Sequence, residues 1–146
     1  DITLADMTLA DIPAVHALEV ECFSSPWDIT AYYRELQNPS AYYLTARCGE
    51  RLAGFGGMWT AGDDAHVVTL AVRADFRRHG VGRRLMEALI HEAKLRSASR
   101  VTLEVRVHNT PAQALYASLG FRTIAFRKHY YPDNDEDAAV MALELL

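Results

Sequence analysis

The sequence offers little to support a membrane span, a redox pair or a metal centre. No apolar run comes near the roughly 18 residues that a helix needs to cross a bilayer. The opening segment, "DITLADMTLADIP", has neither the basic start nor the apolar stretch of a secretory leader. Cys22 and Cys48 stand far apart, with no C-x-x-C spacing and no adjoining histidine cluster, so neither a zinc site nor a redox motif is supported. His66, His79, His91, His108 and His129 are likewise scattered, and no metal is assigned. A soluble, cytoplasmic protein with two free thiols is expected. The formal charge of −4 argues against binding nucleic acid by bulk attraction, although it leaves room for a local anion site. No repeat, linker or low-complexity run divides the chain.

Half of the 146 residues are apolar, enough for one sizeable core, so residues 1–146 are expected to form a single domain. "TLADIPAVHALEVECF" reads as a short helix behind Asp11 and Pro13, and "ITAYYRELQ" as a second that stops at Asn38 and Pro39. "AYYLTARC", "LAGFGGMWT" and "HVVTLAV" read as three successive strands joined by "GER" and "GDDA". From Gly80 the period changes: Val81, Leu85, Met86, Leu89, Ile90 and Ala93 recur at helical spacing. "RVTLEVRV" then alternates, with Val101, Leu103, Val105 and Val107 on one face and Thr102, Glu104 and Arg106 on the other. In "NTPAQALYASLGF", Thr110 is the expected cap, Pro111 the first helical residue, Gln113 the partner in a capping box and Gly120 the stop. A last strand pair, near "RTIAFR" and "AAVMALEL", flanks an acidic loop that carries tyrosines. This order predicts a mixed α/β (α+β) sheet covered by helices.

The most pointed local feature is "RRHGVGRRLM", residues 77–86, where cations and glycines surround a helix start. The first amides of a helix lack intrahelical acceptors and the macrodipole is positive there, so an anion gains hydrogen bonds and field together. Gly80 and Gly82 keep side chains out of the way, while Arg77, Arg78 and Arg83 can add charge-assisted contacts. The nucleotide pattern G-x-x-x-x-G-K-[ST] is absent, and Leu85 stands where the dinucleotide fingerprint needs its third glycine. ATP and NAD are disfavoured, and the residues alone leave open a cradle for another diphosphate or a glycine turn into an ordinary helix with solvated arginines.

"VTLAVRADFRRHGVGRRLMEALI" resembles the acetyl-CoA motif of the GNAT superfamily, [QR]-x-x-G-x-[GA] between a strand and a helix, matched by Arg77, Gly80 and Gly82. "NTPAQALYASLGF" is similar to a second segment of that superfamily. "PWD", "LEVRVHN", "ALYASLGF" and "KHYYPDNDEDAAVMAL" extend the resemblance to its RimI branch, bacterial enzymes that acetylate the N-terminal alanine of small-subunit ribosomal protein eighteen. The resemblance implies a GNAT fold with helices on both faces of a mixed sheet. In that fold the fourth and fifth strands splay around the cofactor.

Acetyl-CoA as co-substrate is implied too, held by Leu70, Ala71 and Val72, by Arg77, Arg78, His79, Gly80, Val81, Gly82 and Arg83, and by Asn109. Glu104 is implied as the base, Tyr116 as the acid facing the leaving thiolate, and Tyr130 and Tyr131 as peptide-side residues. The residues alone favour reading Glu104 as an exposed strand carboxylate paired with Arg106 or a neighbour, and leave Tyr116 open as a core residue beside Leu115 and Leu119. The acidic run Asp133 to Asp137 attracts a basic protein or is a solvated loop. The expected partner is a protein N-terminus, without direct nucleic-acid or membrane binding. Small amines, lysine side chains and a CoA-binding module without catalysis stay open as alternatives.

Overall fold

A computed structural model describes residues 1–145. One seven-stranded sheet runs through it: β1 (Ile2–Asp6), β2 (Ala41–Cys48), β3 (Arg51–Ala61), β4 (Asp64–Val72), β5 (Arg100–Arg106), β6 (Arg122–Tyr131) and β7 (Glu136–Glu144). Their order across the sheet is β1-β2-β3-β4-β5-β7-β6. Neighbours are antiparallel except β4 and β5, which run parallel and are joined through a helix, as parallel strands must be. The helices are α1 (Ile12–Cys22), α2 (Ile29–Leu36), α3 (Val81–Leu95) and α4 (Thr110–Ser118).

Two apolar layers cover the two faces, as expected. On one, Val81, Leu85, Met86 and Leu89 of α3 pack against Val101, Leu103 and Val105 of β5, and Tyr116 and Phe121 extend the cluster. On the other, Ile12, Val15 and Leu18 of α1 and Tyr32 of α2 meet Tyr43 and Phe55. Alternation along β5 therefore commits its odd-numbered side chains to the α3 face and turns Thr102, Glu104 and Arg106 to the opposite face.

Several local readings need correction. β1 lies in a stretch that carries no assignment in the sequence reading. It pairs antiparallel with β2 from Ile2–Cys48 to Asp6–Leu44, at the edge of the sheet. The first helix begins at Ile12 behind Asp11, as expected, but a 3-10 turn closed by a Thr8–Asp11 capping box precedes it. The last helix is capped by Asn109, whose Oδ1 accepts from the Ala112 amide at 3.2 Å. Gln113 instead donates to the carbonyls of Arg106 and Val107. The supposed tyrosine loop is mostly strand: β6 continues to Tyr131 past a register shift between Arg127 and Tyr131, with His129 at φ 54°.

Gly57 is a steric necessity. A Cβ there would lie 2.1 Å from Tyr43 Cε2, inside a ring that is 3% exposed and anchored by donating to Glu35 at 2.7 Å. Gly57→Ala is expected to destabilise by about 2 kcal/mol, the range for overpacking a tight core. At about 2–4 °C per kcal/mol for a domain this size, calorimetry should find the midpoint lowered accordingly. An unchanged midpoint would contradict the Tyr43 placement.

Candidate active site

β4 and β5 pair at three positions, Asp64–Arg100, Ala65–Val101 and His66–Thr102, and then part. Beyond that point the facing edges have no strand partner. The Arg73 amide donates to Ala53 across β3, so alternation turns the backbone of Ala71 toward β3 and that of Leu70 and Val72 into the gap. A bulge sharpens the bend: Gly57 faces Thr69 and Met58 faces Val67, which leaves Val68 as the extra residue. The gap is a cavity of about 590 Å³ whose walls include Leu70, Glu104, Asn109 and Tyr116.

One end of the gap adjoins the start of α3. Gly80 caps this helix in the left-handed region at φ 78°, which favours glycine. Arg78 is also left-handed, at φ 65°. Among the described residues, no amide from Arg78 to Arg83 donates to a backbone carbonyl; the first that does is Arg84, to Gly80 at 3.0 Å. A Cβ on Gly82 would make only ordinary contacts, 3.4 Å from Leu115 and 3.7 Å from Val72, which places this helix start beside α4 and the end of β4. Arg77 donates through Nε to the Val72 carbonyl at 3.2 Å, and Arg83 donates to Ser118 on α4. These arginines tie the loop down, while Arg78 and His79 are exposed. The donor set, six consecutive free amides flanked by cations, fits a diphosphate.

The other end is built around Glu104. Its side chain is 13% exposed; Oε1 lies 2.9 Å from His66 Nε2, and Oε2 lies 3.5 Å from Arg127 Nε on β6. The Tyr130 phenol is raised above its ordinary value by burial and by the Glu104 charge. Across the cavity, Tyr116 is 8% exposed, and burial pushes its phenol up to about 12. Cys22, at the end of α1, also lines the cavity; burial pushes its thiol up, with Arg77 opposing, so it is a poor nucleophile at neutral pH.

A polar clasp joins the lips of this end. The Arg106 guanidinium donates to Asp133 at 3.0 Å and to Glu136 and Asn134 at 3.1 Å each, and sits 4.0 Å over the Tyr131 ring. Ser24, in the α1–α2 connection, donates to the same Asp133 carboxylate at 2.6 Å. The connection is held from below by Glu19, 3% exposed, which accepts from the Trp27 amide at 3.0 Å and from the Tyr32 hydroxyl. The acidic run is thus largely spent internally: Glu136 also accepts from His108, Asp135 pairs with His129, and Asp137 pairs with Lys128.

Of the residues singled out in the sequence, Leu70, Glu104, Asn109, Tyr116 and Tyr131 share the cavity. Val72 and residues 77–83 do not line it; their loop lies beyond the end of β4, where Gly82 is beside Val72. The Ala71 side chain packs into the α1–α2 core, and Tyr130 stands outside the cavity at 42% exposed. Asn109 spends its side chain on capping α4. The sequence reading passed over Glu19, Arg106 and His66. Arg106 and His66 act through partners distant in the chain, and Glu19 through the connection that follows its own helix; only the matching outward alternation of Glu104 and Arg106 hinted at one of them.

The model of the Acetyltransferase (GNAT) family matches residues 12–121. The ribosomal protein bS18-alanine N-acetyltransferase of Escherichia coli strain K12 is 35% identical over 147 residues, spanning 98% of this chain and 97% of the relative. The N-alpha-acetyltransferase RimI of Mycobacterium tuberculosis is 35% identical over 146 residues, spanning 96% and 90%. The crystal structure of the ribosomal-protein-S18-alanine N-acetyltransferase from Escherichia coli superposes with a TM-score of 0.91 at 33% identity, covering 99% of this chain and 94% of that one.

The clasp has an acid limit. Asp133 is held below its ordinary value by the Ser24 hydroxyl and by Arg106, and Glu136 by the His108 amide and by Arg106. Groups with lowered folded values stabilise fully above the ordinary carboxylate range, about 4, and lose that contribution as pH falls through the lowered values. Amide protection over residues 133–137 should therefore be high at neutral pH and fall in that acid window. Arg106→Gln should reduce the neutral-pH protection. Protection that is independent of both would mean that the clasp does not order the loop.

Proposed function

The chain belongs to the acetyltransferase (GNAT) family, and on that premise we propose that it transfers the acetyl group of acetyl-CoA to the N-terminal α-amine of a protein. The proposed acceptor is the N-terminal alanine of ribosomal protein bS18, on which the 35%-identical Escherichia coli relative is named to act. The observation that carries the reading is the meeting of Glu104 and Tyr116 on one cavity between parted strands, with the amides of residues 78–83 at its end.

Acetyl-CoA supplies the activated acyl group as a thioester. The amides from Arg78 to Arg83 and the helix dipole hold the diphosphate. The gap-facing backbone of Leu70 and Val72 lies along the pantetheine arm, with the Val72 carbonyl already taken by Arg77. Glu104 receives the proton of the attacking amine, directly or through a water. An α-amine near pKa 8 costs about 1.4 kcal/mol to neutralise at pH 7, whereas a lysine near 10.4 costs about 4.6 kcal/mol. A carboxylate base therefore suits an N-terminus better. The amine attacks the acetyl carbon, the C–S bond breaks, and the thiolate leaves.

Tyr116 acts on that thiolate. With its phenol at about 12 and a thiol near 8.5, full proton transfer is uphill by about 5 kcal/mol. Tyr116 is accordingly a hydrogen-bond donor to the developing charge, and solvent completes the protonation. The poor nucleophilicity of Cys22 supports direct attack without an acetyl-enzyme.

Thiol release from acetyl-CoA should be fastest with peptides that begin with alanine, and slower with lysine peptides or small amines. Glu104→Gln is expected to lower kcat by about 10²- to 10⁴-fold, and Tyr116→Phe by about 10²-fold. A double variant that keeps full activity would remove both roles, and CoA binding without turnover on any amine would make the chain a binding module.

Gly82→Ala separates folding from cofactor binding. The new methyl group has room within the protein, 3.4 Å from Leu115 and 3.7 Å from Val72, and would crowd the amides proposed to receive the diphosphate. Thermal stability should hold while the acetyl-CoA KM rises about tenfold, or about 1.4 kcal/mol. An unchanged KM would displace the diphosphate from this loop.

A further inference from the structure

His66 occupies the last residue pair before β4 and β5 separate, directly across from Thr102. Its ring is held at both nitrogens: Nδ1 lies 2.7 Å from Thr102 Oγ1, and Nε2 lies 2.9 Å from Glu104 Oε1. Donor directions follow from what each group is able to do. An ionised carboxylate only accepts, so the ring proton belongs on Nε2. In the neutral ring Nδ1 then carries a lone pair, and the Thr102 hydroxyl donates to it. The result is a one-way chain, Thr102 to His66 to Glu104, in which a neutral ring grips one carboxylate oxygen.

We infer that Thr102 and His66 form a positioning pair that aims Glu104 into the cavity. The inference rests on the reading of Glu104 as the base. His66 itself does not line the cavity, so it acts through the carboxylate and not on the acceptor. Arg127 offers a longer contact, 3.5 Å, from a side chain that is 58% exposed on the edge strand β6. His66 and Thr102 sit side by side on strands inside the sheet, where backbone pairing fixes their spacing.

Charge favours a neutral partner. A cation at 2.9 Å would stabilise the carboxylate and weaken it as a base, whereas a neutral N–H orients it with less loss of basicity. The hydroxyl of Thr102 supplies what a bare imidazole lacks, a fixed tautomer. The logic is that of a catalytic triad with the parts exchanged: a histidine orients a carboxylate.

The test compares Thr102→Val, Thr102→Ser, His66→Leu and Glu104→Gln in the thiol-release assay, with acetyl-CoA KM and thermal midpoint measured alongside. Thr102→Val and His66→Leu should lower kcat about tenfold, the scale of a misaimed catalytic group, with acetyl-CoA KM unchanged. Thr102→Ser keeps the hydroxyl and should retain wild-type kcat. Nitrogen-15 spectra of the unmodified protein at neutral pH should show His66 protonated at Nε2, and Thr102→Val should mix the tautomers.

Wild-type kcat in Thr102→Val and His66→Leu, beside an inactive Glu104→Gln, would overturn the positioning pair and leave the base in place. Wild-type kcat in Glu104→Gln would instead overturn the reading beneath it. An Nδ1–H tautomer in the unmodified protein would also overturn the pair. If His66→Leu fails to fold, the two Thr102 variants and the spectra still decide.

Discussion

The separation of β4 from β5 is the constraint on which the rest of this molecule turns. A sheet normally pairs every backbone donor and acceptor, and each buried group left unpaired costs about 1–3 kcal/mol. Here two adjacent parallel strands give up pairing after His66–Thr102, so that Leu70 and the facing stretch of β5 border open space. A ligand with amide groups of its own can replace the missing strand. The helix that joins the two strands begins at the same end, and so its free amides fall where an anionic terminus of such a ligand would lie.

The two halves of the cavity are built by different means. Toward α3 the groups proposed to meet the ligand are main-chain amides, which tolerate sequence change as long as Gly80 can hold its left-handed conformation. Toward β6 they are side chains that bridge segments remote in the chain, Arg106 to Asp133 and Ser24 to Asp133, above a local support from Glu19 to Trp27. The formal charge of −4 says nothing about either half. The arginines near α3 are local, and the acidic residues near β6 pair with Arg106 and Lys128 and contact nearby histidines.

Periodicity made most of the fold legible. The apolar stripe of α3 and the strict alternation of β5 are local signals, and both faces of the sheet followed from them. The motif at residues 77–83 was equally local. What stayed hidden depends on distant pairing. β1 is a strand because β2 lies beside it, and its five residues are too few to declare an alternation. His66 looks like an ordinary histidine until β4 and β5 are set in register, since its partner lies 38 positions away. The cap at Asn109 was misplaced by one residue because Asn-Thr-Pro offers two adjacent candidates, and only the observed Asn109–Ala112 bond separates them.

Glu104 shows why a residue's role cannot be read from its strand position alone. Alternation accounts for its facing away from the α3 core, and it would do the same for Thr102 and Arg106. The three diverge because of what meets them. Arg106 is drawn into the β6–β7 connection by two carboxylates, Thr102 stays within the paired part of the sheet, and Glu104 falls just beyond the last pair, where the cavity opens. A carboxylate one step past the fork has a protein donor on one oxygen and the cavity within reach. Two residues earlier it would be locked into the sheet, and two later it would be lost to the clasp. The place where the strands stop pairing thus selects which outward side chain of β5 is available for chemistry.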